Sequence, residues 1–448
     1  MPQALFRTLL LFLAAMGAAA PAQARLIGVA IGVSRYADAR LARAALPGAA
    51  VDAEAVDAAL KAHGAAAGDA ILLTGADATA SAIRSTIGHL VATAGTGDRV
   101  VIYLSGHGAQ IPARPGDPNE LDGLDEMFLA ADAAPWNAAT HSLPGAVKDD
   151  EFGGWIDQLR AKGASVWFVV DACNGGGLSR GGAQDATARV LDPALLGLPA
   201  ALRGGRADAS GLADASPMAG AGKLVTFYAA PAGGIAWERP LAQDSGPPIR
   251  RGVFTWSLLR ALGGVRAEAN FLTLAAATDE QRRTLGPPGG PAWIGGDLDQ
   301  PMLFAGAGTD LLSHARAASA APVKLRMAVG PAGSGCPGVD PDPAMLATPP
   351  SAALHITGCR RVMVDLQSSA AVPVTLRPWY RDASGSYVAL AGTGGVTLAP
   401  GGAGRFGFTV TDHDPDTGQA LPSGTEYLLL IADDGSQGAM VVPLMTGN

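Results

Sequence analysis

Two segments of the chain are built alike, and each ends in a residue able to do chemistry. Asp98-Arg-Val-Val-Ile-Tyr-Leu-Ser-Gly-His107-Gly is an apolar run that ends in an imidazole between glycines. Val166-Trp-Phe-Val-Val-Asp-Ala-Cys173-Asn-Gly-Gly-Gly is an apolar run that ends in a thiol followed by glycines. A thiol nucleophile needs such an imidazole, because the attacking species is the thiolate and a neighbouring base can take its proton. The glycines let a peptide backbone come close. They also leave the amides of Gly108 and Cys173 free to stabilise a developing oxyanion. With a strand period of two, Asp171 shares a side with Cys173, as Ser105 does with His107. A carboxylate beside a reactive thiol is suited to holding a cationic group, so an acidic pocket for an Arg or Lys of the substrate is expected.

These tips serve only if neighbouring parallel strands carry them. From Leu26 to about Phe304, strand-like runs alternate with amphipathic helical stretches, which predicts an α/β fold with a mostly parallel sheet flanked by helices. Strands are expected over 26–33, 70–74, 98–104, 165–171 and 223–229. Helices are expected over 50–62, 80–93, 151–161, 254–262 and 272–285. Such sheets bind ligands at the carboxyl ends of their strands. Residues 178–222 are rich in Gly, Ala, Asp and Arg without periodicity and are expected to form a mobile loop. After a linker over 307–320, short alternating runs separated by Gly, Pro and Asp predict a small all-β, sandwich-like C-terminal domain over 321–448.

The 448 residues are too many for one ordinary core, and 48% hydrophobic against 16% charged residues excludes a wholly disordered chain. A net charge of −8 without a basic stripe gives no footprint for nucleic acid. Arg7, the apolar run Leu9 to Ala20 and the small residues of Ala22-Gln23-Ala24 have the layout of a signal peptide over 1–24, with the α/β domain expected over 25–306. The run is short of the roughly 20 residues a membrane helix needs. The mature chain is therefore expected to be exported, periplasmic or secreted, with no stable membrane span. Of the three cysteines, Cys336 and Cys359 are the plausible disulfide pair, which leaves Cys173 as the odd thiol.

The motifs Tyr103-Leu-Ser-Gly-His107-Gly-Ala-Gln and Asp171-Ala-Cys173 resemble the two catalytic motifs of metacaspases, caspase-related peptidases of family C14 and clan CD. Leu46-Pro-Gly-Ala-Ala-Val-Asp52-Ala, Glu120-Leu-Asp122-Gly-Leu-Asp125-Glu126, Asp149-Asp150-Glu151, the segment Ala229 to Glu238 and the segment Gly252 to Leu259 resemble further motifs in the family's order. The resemblance implies a cysteine endopeptidase cleaving peptides or proteins after Arg or Lys, with Cys173 as nucleophile and His107 as its partner. It implies that Asp52, Ser105 and Asp171 bind the basic side chain. No cofactor is required for the chemistry, but the resemblance implies calcium as an activator, held by Asp122, Asp149 and Asp150. Departures are Ala49, Asn174-Gly175 and Arg180, where the family has Cys, His-Ser and a calcium-binding Asp. The residue at Ala49 is auxiliary in the family, so its loss does not bear on catalysis, but Asn174-Gly175 and Arg180 keep open an inactive caspase-like scaffold or binding protein. A clan CD peptidase of different specificity is the third reading. Self-cleavage, as in the family, would fall at Arg180, Arg189, Arg203 or Arg206.

Overall fold

In a computed structural model, the described residues are 24–114, 124–173, 185–198, 222–230, 234–243, 245–265, 269–287 and 292–304, followed by 320–331, 359–383, 395–410, 423–432, 438–446 and shorter pieces between these. The expected signal segment up to residue 23, Asp122, Asn174-Gly175, Arg180, Arg203, Arg206 and Cys336 lie outside them, as does most of the expected linker.

Four parallel strands form the centre of the main sheet: β1 (Leu26–Gly32), β3 (Arg99–Ser105), β7 (Ser165–Asp171) and β9 (Leu224–Tyr228), with β2 (Ala70–Thr74) parallel on the outer side of β1. The order is β2-β1-β3-β7-β9. Every residue of β1 is buried, and so is each residue of β3 and β7 after the first. Burial on both faces explains why these strands read as continuous Val/Ile/Leu runs rather than alternating ones. One face packs on α2 (Ala80–Thr93) and α3 (Asp149–Ala161). The other packs on α1 (Pro47–Ala62), α4 (Val253–Gly264) and α5 (Phe271–Thr284). Helix α1 opens on Pro47, whose fixed φ suits the first turn. Its buried stripe of Ala49, Ala53, Val56 and Leu60 also contains a carboxylate, Asp52.

Smaller sheets frame the rim. β4 (Gly108–Pro112), β5 (Leu124–Leu129) and β6 (Ala146–Lys148) are antiparallel beyond the His107 tip. β10 (Trp237–Leu241) and β11 (Ile249–Gly252) form a hairpin, and β8 (Thr187–Ala188) pairs with β10. Of residues 178–222, expected to form one mobile loop, the described residues are 185–198 and Gly222. Over 185–198 they are seated in the fold, with Arg189 and Leu196 at 0% exposure. The physical reason is an ion-pair anchor, described below, which composition does not reveal.

The C-terminal strands form two sheets around a common core that includes Leu325, Val364, Leu376, Phe406, Leu428 and Val442. One sheet contains β13 (Val323–Pro331), β14 (Leu346–Ala347), β16 (Arg360–Ser368) and β20 (Ala403–Val410). The other contains β15 (Leu354–Ile356), β17 (Val374–Arg381), β18 (Tyr387–Ala389), β19 (Val396–Leu398), β21 (Gly424–Ala432) and β22 (Ala439–Thr446). This second sheet joins the parallel one through β12 (Trp293–Gly296). β12 pairs antiparallel with β9 on one side and with β18 on the other. An edge strand's unpaired amides and carbonyls are thus satisfied by the C-terminal strands. Trp379, Tyr387 and Leu429 enter the same apolar cluster as Phe271 of α5. Cys359 is disulfide-bonded and Cys173 is free. Among the described residues no helix is long and apolar enough to cross a membrane.

Candidate active site

The register of β3 and β7 sets Ser105 opposite Asp171, and the Gly106 amide donates to the Asp171 carbonyl (3.4 Å). The residues two further on, His107 and Cys173, therefore leave the same rim at the same level. The tips touch: a Cβ on Gly108 would stand 2.0 Å from the Cys173 carbonyl oxygen, so only glycine fits there.

His107 is 2% exposed, its ring stacked beside Tyr36 (centroids 6.1 Å apart). Its Nε2 lies 3.0 Å from the Ala44 carbonyl, which can only accept. Nε2 therefore bears the proton of the neutral ring, and Nδ1, buried without a hydrogen-bond partner, presents a lone pair. Burial pushes the imidazole down to about 4, and the Arg189 charge adds to the fall. Burial pushes the Cys173 thiol up to about 12, against the Ala236 amide that donates to Sγ (3.1 Å). In this state the thiol and the imidazole are both neutral.

Leu129 N–H donates to the His107 carbonyl (3.0 Å), and Gly108 stands opposite Phe128. In such an antiparallel pair the Gly108 N–H and C=O turn away from β5. They turn toward Val190, with which Gly108 forms an isolated parallel bridge.

The expected pocket residues Asp52, Ser105 and Asp171 are all 0% exposed and come together. What joins them is the chain's own Arg189. Its Nη2 is 2.7 Å from Asp52 Oδ2 and 3.5 Å from Glu238 Oε2. Its Nη1 is 3.0 Å from Asp171 Oδ2 and donates to Ser105 Oγ (2.7 Å) and the Asp171 carbonyl (2.9 Å). Burial opposes the Arg189 charge, but Asp171, Asp52 and Glu238 outweigh it and hold the guanidinium protonated. Burial, with the like charge of Asp171, pushes the Asp52 carboxyl up. Arg251 also reaches Asp52 (3.1 Å) and Arg250 reaches Glu238 (3.4 Å), so three carboxylates face three guanidinium groups.

The strap that carries Arg189 lies as an added strand. Ala188 pairs with Trp237, Thr187 with Glu238, and the Arg189 amide donates to the Ala236 carbonyl (2.8 Å). This is strand addition with one side chain inserted in a pocket.

The floor of the pocket is the start of α4. The Gly252 amide donates to Asp52 Oδ2 (2.7 Å). The Thr255 amide and hydroxyl donate to Asp171 Oδ2 (3.2 and 2.5 Å), and Tyr103 Oη is 2.7 Å from the Thr255 hydroxyl. Free amides at a helix start favour these negative charges. Glu238, Gly252, Thr255 and the Ala44 carbonyl were not singled out from sequence. The available signals were the segments Ala229 to Glu238 and Gly252 to Leu259, noted above without a role for these residues. A Cβ at Gly252 would lie 2.1 Å from Asp171 Oδ2 and 2.8 Å from Asp52 Oδ2. Gly252→Ala is accordingly expected to cost about 1–3 kcal/mol by overpacking, read as a lower urea midpoint at unchanged m. An unchanged midpoint would mean that the pocket floor gives way freely.

Of the expected calcium ligands, Asp149 and Asp150 open α3, and Asp122 lies outside the described residues. Burial, then the charge of Asp150, pushes the Asp149 carboxyl up to about 7. The Lys148 ammonium pairs with Asp125 and stands 3.9 Å from Asp150. Among the described residues, no three His, Cys, Asp or Glu side chains converge as a metal site.

A helix-flanked parallel sheet that presents a cysteine and a histidine at one rim, above a carboxylate-lined cleft, has the build of a caspase-type cysteine peptidase. The C14 peptidase family described as the caspase domain matches residues 25–285, more than half of the chain, and the chain belongs to that family. It is 29% identical to metacaspase-7 and 30% identical to metacaspase-4 of Arabidopsis thaliana, each over 100 residues and 22% of this chain. The matches span only 22% and 21% of those relatives' own length. A solved protein from Geobacter sulfurreducens is 19% identical, over 60% of this chain and 92% of that one, with a TM-score of 0.42.

Proposed function

We propose that the chain is an endopeptidase cleaving peptides or proteins after Arg or Lys through Cys173 and His107. The observation that carries this reading is Arg189, lodged like a substrate side chain among Asp52, Asp171, Glu238 and Ser105. In the proposed reaction, Sγ of Cys173 attacks the carbonyl of the residue in the pocket while its proton passes to Nδ1 of His107. The Ala44 carbonyl holds the ring in the tautomer that frees Nδ1 and stabilises the imidazolium. The amides of Gly108 and Cys173 receive the oxyanion. Nδ1 then protonates the leaving amine, and water attacks the thioester with His107 again as base. The bond presented within the chain itself is Arg189–Val190, because Gly108 is bridged to Val190 and its amide is turned toward the strap.

Calcium belongs to this proposal as an activator. Asp149 and Asp150, with Asp122, would hold it, and a hard cation there would relieve the raised Asp149 carboxyl. The proposed location is outside the cytoplasm. The test is hydrolysis of Arg-, Lys- and Asp-ended reporter peptides, with calcium or with a chelator, alongside mass mapping of the full chain. Turnover of the basic reporters and a new amino terminus at Val190 are expected. No turnover of any basic reporter under either condition would end the proposal.

Seating of the strap also predicts thiol behaviour. With its pKa near 12, the sulfur stays protonated through neutral pH, and its thiolate fraction rises only as pH approaches that value. Iodoacetamide should therefore label Cys173 slowly from pH 6 to 9, with a rate that climbs with pH and shows no plateau. Arg189→Ala should unseat the strap and speed labelling about tenfold or more. Equal rates in the two proteins would mean that Arg189 does not keep Cys173 buried.

A further inference from the structure

We infer that Arg250 is a specificity-determining residue that selects an acidic or hydroxyl-bearing side chain two positions before the cleaved basic residue; this rests on reading the cleft as a peptidase site. The strap gives the register. Arg189 fills the pocket, and Thr187, two residues earlier on the same strand, must turn to the same side. Thr187 stands opposite Glu238, which stands opposite Gly252 on the far side of β10. Gly252 carries no side chain, so the next residue of β11 on that face, Arg250, meets no obstacle in reaching back across β10. Its Nη2 donates to Thr187 Oγ1 (2.5 Å), while Nε is 3.4 Å from Glu238 Oε1.

The guanidinium is thus aimed. Glu238, 0% exposed, holds one end, and the other end meets the side chain of whatever strand lies in the cleft. Glu238 is shared with the pocket arginine (3.5 Å from Arg189 Nη2), so both side-chain positions are read through one carboxylate. A threonine offers one acceptor to Arg250, a glutamate offers two and a charge, and a lysine brings a like charge against it. Arg250 is about one-third exposed, so water screens the preference to a modest factor.

The experiment uses the full chain and three reporters, Glu-Ala-Arg, Thr-Ala-Arg and Lys-Ala-Arg amides of one fluorophore. Wild type should rank them Glu, Thr, Lys in kcat/KM, with about three- to tenfold between the first and last. Arg250→Gln should level the series, Arg250→Glu should invert it, and Arg250→Lys should keep its order. The ratio within one protein is insensitive to any loss of folded fraction. Hydrolysis of all three reporters with the same ranking in wild type, Arg250→Gln and Arg250→Glu would overturn the inference and leave the peptidase reading standing. Hydrolysis of none by wild type would overturn both.

Discussion

Cys173→Ala is expected to reduce hydrolysis of arginyl reporters by at least about 10³-fold and to abolish any cut at Arg189–Val190. The sulfur leaves the same rim of the sheet as His107, and no described side chain on that rim offers a second thiol. The loss should lie in kcat, because Asp52, Asp171 and Glu238, which hold Arg189 and would hold a basic substrate side chain, are untouched. The variant should fold: Cys173 is fully buried, alanine is smaller, and the lost hydrogen bond from Ala236 is the chief cost. Matching unfolding curves for wild type and variant would establish this, and turnover measured beside them decides the matter. A variant that still hydrolyses arginyl reporters at a tenth of the wild-type rate would remove Cys173 from the chemistry. The scaffold reading would gain only if wild type were equally inactive.

Asp171→Asn should have the second-largest effect, and on two observables. Asp171 gives Arg189 both a side-chain oxygen (3.0 Å) and its backbone carbonyl (2.9 Å), and Thr255 clamps the same carboxylate. Without that charge, a buried guanidinium faces fewer anions than it needs. Removing one partner of a buried pair typically costs about 3–5 kcal/mol, which lowers the urea midpoint. For an arginyl substrate the same deficit should appear as a fall of about 10²-fold or more in kcat/KM. The two effects separate in the double variant Asp171→Asn with Arg189→Met. There the unpaired charge is gone, so much of the stability should return while arginyl turnover stays low. If stability were not recovered, Asp171 would be holding the sheet rim through Thr255 rather than serving a cation.

The strap bears on how the site would work. A neutral thiol and imidazole, closed under residues 187–190, cannot meet an outside peptide until Arg189 leaves. Among the described residues, Asp52, Asp171 and Glu238 would then face only Arg250 and Arg251, and the deficit of one positive charge is what one incoming basic side chain supplies. Charge balance in the pocket thus favours exchange of one arginine for another over an empty cleft.

Much of the fold was legible because its cause is local. β2 and β7 have the bounds their apolar runs predict, and β1, β3 and β9 differ by one or two residues at their ends. Helix α2 starts where Thr79 caps it and runs as its periodicity requires. Among the described residues, the C-terminal sheet joins the parallel one through two residue pairs of β12 with β18. No pattern in Trp293–Gly296 announces which strand will cover its open edge.

By itself the sequence determined which strands are buried on both faces, and that two of them end in a thiol and an imidazole flanked by glycine. Apolar runs and glycine act within a few residues, so those features survive being read one segment at a time. Only the tertiary structure decided that Arg189 fills the pocket, that Glu238 shares it, and that Ala44 orients the imidazole. Asp52 and Arg189 are 137 positions apart, and a buried charge takes whatever partner the whole fold brings within reach.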